Sequence, residues 1–237
     1  MVLVDTRNPL NIGAAARAMS NFGILHLRVV NPFELAFREA RSAVGAAPLL
    51  ARAEEFKSVA EAIADCSLVV GTSALSRRDP QHKVHGLQEG AHLIQKRLAS
   101  GRVALLFGSE KRGLSNEDLS HCHWLLRIPT REEHRSMNLG QAVAVCLYEL
   151  ARAPKPALNP KKLACATAGD LERLSSLLLE TLQASGYVKK SQGHSKSHSA
   201  APSEEKIRRF IRKMNLSVED AEVLLGMLRQ ILWKLRS

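Results

Sequence analysis

Short apolar runs alternate with amphipathic segments along residues 1–152. Runs rich in Val, Leu and Ile predict strands at Met1–Val4, Leu25–Val30, Leu68–Gly71, Val103–Phe107 and Trp124–Ile128. Between them, helical spacing predicts two apolar faces, one of Ile12, Ala15, Met19 and Phe22 and one of Phe56, Val59 and Ile63. A longer helix is predicted over Leu139–Arg152, with Val143, Cys146, Leu147 and Leu150 buried. This alternation indicates an α/β fold, a parallel sheet with helices on both faces.

A second, smaller unit is predicted after this domain, which spans residues 1–153. Residues 154–163 contain three prolines, which break regular structure and indicate a linker. Residues 164–237 predict a small all-α domain of three amphipathic helices. The first helix has apolar positions at Leu171, Leu174, Leu178 and Leu182 and ends before Gly186. The second has them at Ile207, Phe210, Ile211 and Met214. The third, which Ser217 and Asp220 cap, has them at Leu224, Leu228, Ile231 and Leu235. The polar segment 187–205 is predicted to be disordered.

Composition narrows the class of protein. A chain of 237 residues with 45% hydrophobic content suits one main domain and an appendage. No apolar run reaches the roughly 18 residues of a membrane span, and the first residues lack the features of an export signal, so we expect a cytoplasmic protein. The four cysteines form no Cys-x-x-Cys pair and are expected to be reduced packing residues. No metal site is expected at His121-Cys122-His123 or at His194 and His198.

Positive charge is concentrated in the tail. Residues 155–237 hold 15 Lys and Arg against 8 Asp and Glu, so they contribute +7 of the chain's net charge of +11. Such a field suits a polyanion, although charge alone fits a merely solubilising tail equally well. The predicted helix near 203–215 places cations around its apolar strip, a surface suited to a phosphate backbone such as that of RNA: Lys206, Arg208, Arg209, Arg212 and Lys213.

Three stretches that carry chemistry lie where a predicted strand ends and a helix begins, the edge at which open parallel sheets bind ligands. In the first, residues 8–17, Asn11 is placed to cap a helix, and Arg17 projects from the same helix four residues after Gly13. An ordinary surface arginine is the alternative interpretation of Arg17. The helix is otherwise small and apolar around it, which favours a functional role.

The second stretch, residues 105–114, is a turn bracketed by Gly108 and Gly113, with the Glu110 carboxylate inside it. Glycines permit positive φ and a close approach of the backbone to a ligand. The third stretch, residues 128–138, ends in Ser136, Met137 and Asn138 at the start of a helix, where backbone N–H groups are free to meet a ligand. A simple helix cap is the alternative for Ser136 and for Asn138.

Together, and in this order, the three stretches resemble the SpoU (TrmH-like) class of SPOUT RNA methyltransferases. The matching pieces are Asn-Ile-Gly-Ala-Ala-Ala-Arg from Asn11, Gly-Ser-Glu-Lys-Arg-Gly-Leu from Gly108, and Ile-Pro from Ile128 with the later Ser-Met-Asn-Leu and Leu-Tyr-Glu-Leu. The resemblance covers residues 1–152. Val-Asn-Pro at 30–32 and pieces of the tail, at 171–174 and 226–232, are similar to a subgroup that methylates the ribose of nucleotide 32 in the tRNA anticodon loop.

The resemblance implies S-adenosylmethionine as cofactor, a C-terminal trefoil knot in the main domain, and a homodimer. It implies a catalytic set of Arg17, Asn11, Glu110, Ser136 and Asn138. It implies cofactor contacts from Thr72, Ser73, Ala74, Gly108, Gly113, Ile128, Arg135, Ser136 and Met137. Three features depart from the subgroup: Leu10 stands where glycine is usual, Met137 stands where leucine is usual, and segment 187–205 is longer and more polar.

The sequence therefore predicts a tRNA 2′-O-ribose methyltransferase that acts on cytidine or uridine 32. Methylation of ribosomal RNA within the same class is one alternative, and a non-catalytic RNA-binding protein is another, which retention of the whole catalytic set argues against. The class account makes Arg17 a general base, but a guanidinium keeps its proton, so a fixed cation beside the forming alkoxide fits better. Residues 160–237 are expected to contribute tRNA affinity and to leave cofactor binding alone.

Overall fold

The structure is a computed structural model that describes residues 1–32, 47–73, 81–154, 164–188 and 203–237. Its strands are β1 Val2–Val4, β2 Arg28–Val30, β3 Glu54–Phe56, β4 Leu68–Thr72, β5 Val84–Gly86, β6 Val103–Phe107 and β7 Trp124–Arg127. They form a seven-stranded sheet in the order β3-β2-β1-β6-β4-β7-β5. Every pair in it is parallel, as predicted.

Helices pack on both faces of the sheet. They are α1 Pro9–Asn21, α2 Ala47–Ala51, α3 Val59–Ile63, α4 Leu87–Leu98, α5 Asn116–Ser120, α6 Leu139–Arg152, α7 Ala168–Ala184, α8 Glu204–Lys213 and α9 Val218–Arg236. One apolar core joins the sheet to α1, α2, α4 and α6, and a second joins its other face to α3 and the start of α7. Within β1, Leu3 faces the first core while Val2 and Val4 face the second, because side chains alternate along a strand. The sheet is therefore buried on both sides.

Two strands were missed by the hydrophobic pattern, and both lie at sheet edges. β3 pairs with β2 alone and exposes Glu54 and Glu55, and β5 pairs with β7 alone. An edge strand needs no continuous apolar run, because one side of it has no neighbouring strand to bury it. Phe56, which we predicted on a helix face, ends β3; the helix starts at Val59 after Ser58, whose side chain accepts a hydrogen bond from the Glu61 N–H.

The tail contains the three predicted helices. Thr167 and Ser217 each form a capping box, with Asp170 and Asp220 respectively, at the starts of α7 and α9. Gly186, with a φ of +76°, follows the end of α7. These helices share a core of Ala166, Leu171, Leu174, Ile211, Ala221 and Leu225.

The buried face of α9 differs from the predicted one. Ala221, Leu225 and Leu232 are buried, whereas Ile231 and Leu235, which we predicted to be inside, are exposed. Leu224 and Leu228, the other two predicted residues, are half-buried against the shared core, so the covered face overlaps the predicted one and is rotated toward Ala221 and Leu225. Apolar residues surround much of α9, so spacing alone did not identify the covered side.

The helical tail docks directly on the sheet domain. The N–H groups of Ala168 and Gly169, in the first turn of α7, donate to the carbonyl oxygens of Cys66 and Ala64 at 2.7 and 2.9 Å. Because Ala168 is part of the second core, the start of α7 belongs to the packing of the sheet.

Some predicted segments fall outside the described residues: 155–163 of the linker and 189–202 of the segment predicted to be disordered. The latter prediction extends too far, because Glu204 and Glu205 form the first turn of α8 and the Val188 N–H donates to the Leu182 carbonyl at 3.1 Å. No helix in the described ranges is long and apolar enough to cross a membrane. The trefoil knot stays a prediction.

Candidate functional site

A cavity of about 840 Å³ opens at the carboxyl edge of the sheet. The loops that follow β4, β6 and β7 form its walls, as expected for a parallel sheet. Every predicted cofactor residue in the described ranges lines it: Thr72, Ser73, Gly108, Gly113, Ile128, Arg135, Ser136 and Met137. Ala74 lies outside the described residues. The second and third stretches thus meet in one site with the loop after β4, although their binding of a cofactor stays a prediction.

The turn after β6 depends on its two glycines. A Cβ added at Gly108 would lie 2.1 Å from the carbonyl carbon of Gly113, so any side chain there would collide with backbone. Gly113 has a φ of +66°, a conformation that L side chains rarely adopt. Its N–H donates to the Ser109 carbonyl at 2.8 Å and closes the turn. The turn therefore has a fixed backbone from which Glu110 projects.

Hydrogen bonds also fix the other two loops. Thr72 at the end of β4 donates its hydroxyl to the Leu106 carbonyl at 2.9 Å, which ties β4 to β6 beside the cavity. In the loop after β7, the Thr130 hydroxyl donates to the Arg135 carbonyl at 3.2 Å, and Arg135 Nε donates to the Glu132 carbonyl at 3.2 Å. These bonds shape the loop that carries Ser136 and Met137.

A chain of hydrogen bonds joins one polar residue from each motif. Asn11 Nδ2 donates to Glu110 Oε1 at 3.0 Å, and Asn138 Nδ2 donates to Asn11 Oδ1 at 2.8 Å. Burial alone would raise the pKa of the Glu110 carboxyl, but hydrogen bonds from Asn11 and from backbone N–H groups outweigh it and lower that pKa. The network therefore holds an ionised carboxylate at the mouth of the cavity.

Asn11 does not cap α1, contrary to our prediction. Asn8 is the N-cap, and its side chain accepts a hydrogen bond from the Leu10 N–H at 2.9 Å. Pro9 takes the first helical position, which its fixed φ and missing N–H suit, and this moves the helix start ahead of Asn11. Asn138 combines the two roles that we weighed as alternatives, since its Oδ1 caps α6 through the Gly140 N–H at 2.9 Å while its Nδ2 joins the network.

Arg17 does not line the cavity of its own chain. It is exposed on α1 and makes no hydrogen bond or ion pair with any residue in the described ranges. Leu10 and Ala14 are exposed on the same face of the helix, two turns and one turn earlier respectively. A catalytic role for Arg17 therefore requires a contact that one chain alone does not provide.

The predicted cationic surface of α8 is wrong for two of its five residues. Arg208 and Arg212 are only 4% and 2% exposed, because α8 packs through Ile207, Arg208, Ile211 and Arg212. Phe210 and Met214, which we predicted to be inside, are exposed instead.

The buried arginines have acidic partners in both parts of the chain. Arg208 Nη1 donates to Glu117 of α5 at 2.7 Å, and Arg208 Nε donates to Glu172 of α7 at 3.0 Å. Arg212 Nη2 lies 3.4 Å from the other oxygen of Glu172. These two arginines therefore hold the helical tail to the sheet domain and are not available to an RNA backbone.

For Lys206, Arg209 and Lys213, the RNA-binding role stays a prediction. Lys206 and Lys213 are exposed. Lys206 and Arg209 also line the cavity, together with His82, a residue that no sequence motif had indicated.

The side chains of the His121-Cys122-His123 run have structural positions. The Val69 N–H donates to His123 Nδ1 at 3.1 Å, and burial raises the pKa of the Cys122 thiol to about 12. His121 is buried beside Glu117 and Glu172. The described part of the chain contains no group of three or more His, Cys, Asp or Glu residues that could hold a metal ion.

The sequence model of the SpoU rRNA Methylase family matches residues 1–148, and the chain belongs to this family of RNA methylases. It is 34% identical to the tRNA (cytidine/uridine-2′-O-)-methyltransferase TrmJ of Sodalis glossinidius (strain morsitans), over 98% of this chain and 90% of that protein. The TrmJ of Klebsiella pneumoniae is also 34% identical, over 98% of this chain and 95% of its own. The crystal structure of TrmJ from Z. mobilis ZM4 superposes with a TM-score of 0.80 at 30% identity, covering 97% of both chains.

These similarities confirm the predicted class, an RNA methyltransferase with a parallel sheet and a helical C-terminal region. They also extend through the tail, beyond the residues that the family model matches. The roles of the individual site residues stay predictions.

Proposed function

We propose that this protein is a cytoplasmic, S-adenosylmethionine-dependent tRNA 2′-O-ribose methyltransferase that acts on cytidine or uridine 32. The observation that carries the proposal is the similarity to TrmJ proteins over both the cavity-bearing domain and the helical tail. A methylase that acts on another RNA would be expected to share the cavity-bearing domain but not the helical tail. The choice of nucleotide 32 rests on the sequence resemblance alone.

The cavity suits S-adenosylmethionine in size and chemistry. Its volume lies within the roughly 300–1,000 Å³ of small-molecule sites. Leu126, Ile128 and Met137 would provide an apolar wall for its adenine ring, and the turn between Gly108 and Gly113 would provide polar backbone groups for its ribose and amino-acid parts. When bound, this cofactor supplies the methyl group.

The residues of the chain must align the 2′-hydroxyl and ease loss of its proton, because a ribose hydroxyl is a weak nucleophile at neutral pH. Positioning alone contributes up to about 7–11 kcal/mol in favourable intramolecular reactions. The network of Asn11, Glu110 and Asn138 supplies rigid hydrogen-bonding groups for this purpose. We assign Arg17 as a fixed cation that stabilises the forming alkoxide, while a substrate phosphate or water accepts the proton.

We further infer a homodimer in which each Arg17 serves the cavity of the other subunit. Arg17 shares the exposed face of α1 with Leu10 and Ala14, and α6 packs against α1 and exposes Tyr148. A Cβ added at Gly140 would lie 2.6 Å from the Ala14 Cβ, so this exposed face adjoins the start of α6, where the cavity lies. A second copy that covered this face would bury its apolar residues and bring Arg17 to the partner's cavity.

Methyl transfer to separate RNA pools tests the proposed function. The purified protein would be incubated with methyl-labelled S-adenosylmethionine and either total tRNA or ribosomal RNA from a strain that lacks the enzyme. We expect label in tRNA only, in ribose. Label in ribosomal RNA alone would favour the second candidate, which the name of the matching family suggests. Absence of label in both pools, despite RNA binding, would favour a non-catalytic RNA-binding protein.

A further inference from the structure

The cavity has a second wall that the cofactor motifs do not account for. Ser203, Glu205, Lys206 and Arg209, at the start of α8, form one side of it. Gln81 and His82 of the sheet domain, with Asn116 and Leu119 in α5, line the same cavity. At about 840 Å³, the cavity lies toward the upper end of the usual range, which leaves room for a second group beside a cofactor.

His82 lines the part of the cavity beside α8, which we call the compartment. The residue is 8% exposed, and its Nε2 is buried with no hydrogen-bond partner among the described residues. Burial, then the charges of Arg209 and Lys213, lower the pKa of His82 to about 4, although a hydrogen bond to the Leu119 backbone opposes this shift. The ring is therefore neutral near pH 7. A neutral imidazole has one donor and one acceptor nitrogen, so Nε2 can accept a hydrogen bond from a ligand when the proton is on Nδ1.

Two cations line the same compartment. Lys206 is exposed, and the side chain of Arg209 is 11% exposed, with Nη1 3.8 Å from Glu205 Oε2. That separation is too long for a strong ion pair, so most donors of the guanidinium are available to a ligand. The compartment thus offers positive charge and a neutral acceptor side by side. A matching ligand carries an anion and a hydrogen-bond donor, as a ribonucleotide does with its phosphate and its hydroxyl or amino groups.

We propose that Lys206, Arg209 and His82 form a nucleotide subsite beside the methyl-transfer site, in which the two cations bind a phosphodiester of the RNA substrate and His82 Nε2 accepts a hydrogen bond from a hydroxyl or amino group of the same nucleotide. The inference rests on the proposed function and extends it, because it makes α8 part of the active site. RNA bound at this subsite then covers one side of the cavity in which the cofactor binds. The expectation that the tail contributes tRNA affinity and leaves cofactor binding alone is kept, and the proposal assigns that affinity to cations in a wall of the cavity.

Substitutions in α8 test the subsite against a matched control. Arg209→Ala and Lys206→Ala each remove one cation of the compartment, and Arg229→Ala removes an exposed cation of α9 that does not line it. Binding of unmodified tRNA would be measured at several salt concentrations, and S-adenosylmethionine binding by calorimetry. We expect each subsite variant to weaken tRNA binding about tenfold or more and to lower the salt slope of log affinity by about 0.7–0.9. Arg229→Ala should change neither, and cofactor affinity should be unchanged in all three.

Variants of His82 provide a second, charge-neutral test. His82→Phe removes the acceptor, whereas His82→Gln retains one, so tRNA affinity should fall in the first and recover at least partly in the second, with melting temperatures reported for both.

Unchanged tRNA affinity in Arg209→Ala and Lys206→Ala would overturn the subsite. Loss of cofactor affinity with tRNA affinity intact would also overturn it, and would instead assign the two cations to the cofactor carboxylate. The subsite fails alone if the wild-type protein methylates tRNA but the variants bind tRNA normally. The proposed function fails alone if the variants lose RNA binding but the wild-type protein transfers no methyl group.

Discussion

Glu172 is the shared partner of two buried arginines, and its replacement by glutamine should loosen the contact between the helical tail and the sheet domain. The carboxylate accepts hydrogen bonds from Arg208 Nε at 3.0 Å and from Arg212 Nη2 at 3.4 Å. Arg208 keeps ion pairs with Glu117 and Glu204, but Arg212 would keep none with the described residues. Breaking a buried pair by removing one partner costs about 3–5 kcal/mol.

Thermal unfolding would measure the effect. At about 2–4 °C per kcal/mol for a chain of this size, Glu172→Gln should lower the melting temperature by roughly 6–20 °C. Glu180→Gln, on the same helix, is the control: Glu180 pairs with Arg236, both side chains are about half exposed, and such surface pairs contribute at most about 1 kcal/mol. Equal shifts for the two variants would refute the assignment of Arg208 and Arg212 to a buried ionic contact.

The pH dependence of stability gives an independent measure of the same contact. Burial would raise the pKa of Glu172, but His121, Arg208 and Arg212 outweigh it and lower the pKa from 4.5 to about 2. A carboxyl with a depressed pKa in the folded state contributes stability above its unfolded pKa and loses that contribution as pH falls through the folded one. Between pH 4.5 and 2, the stability of the wild-type protein should therefore fall more steeply than that of Glu172→Gln. Parallel curves would contradict this account.

The remaining predictions concern the candidate site. Arg17→Ala should abolish methyl transfer and leave cofactor affinity nearly unchanged, and an active variant would remove Arg17 from the mechanism. Gly108→Ala should weaken cofactor binding in calorimetry, because its Cβ would collide with Gly113; normal affinity would refute the role of this turn. Asn138→Ser keeps the cap of α6 but loses the hydrogen-bond donor to Asn11, so it should lose activity. Its free energy of unfolding should exceed that of Asn138→Ala, which also loses the cap, by about 0.5–2 kcal/mol. Light scattering should give a dimer, and a mass near the 26.0 kDa of one chain would contradict the shared site.

The central strands were predictable from the sequence, and the edge strands were not. β1, β4, β6 and β7 lie between neighbouring strands and bury residues on both faces, so they carry apolar runs rich in Val and Leu. At the outer edge, β3 carries Glu54 and Glu55 and forms by pairing with β2. Because backbone groups make this pairing, the pattern of apolar and polar side chains does not indicate it.

The site was predictable where short motifs carry it and not where distant residues meet. The stretches around Asn11, Gly108 and Asn138 line one edge because strand ends of a parallel sheet converge there. The burial of Arg208 depends on Glu117, 91 residues earlier, so the cationic pattern of α8 looked like a free surface. His82 likewise gains its environment from α5 and α8, and no local spacing indicates it.

One substrate substitution tests the central claim most directly. A synthetic tRNA with 2′-deoxyribose at nucleotide 32 would be compared with the unmodified tRNA and with one that carries deoxyribose at nucleotide 33, all with methyl-labelled S-adenosylmethionine. The account predicts full methyl transfer to the unmodified and deoxy-33 tRNAs and none to the deoxy-32 tRNA, because the accepting hydroxyl is missing. Equal methylation of all three would contradict transfer to the ribose of nucleotide 32.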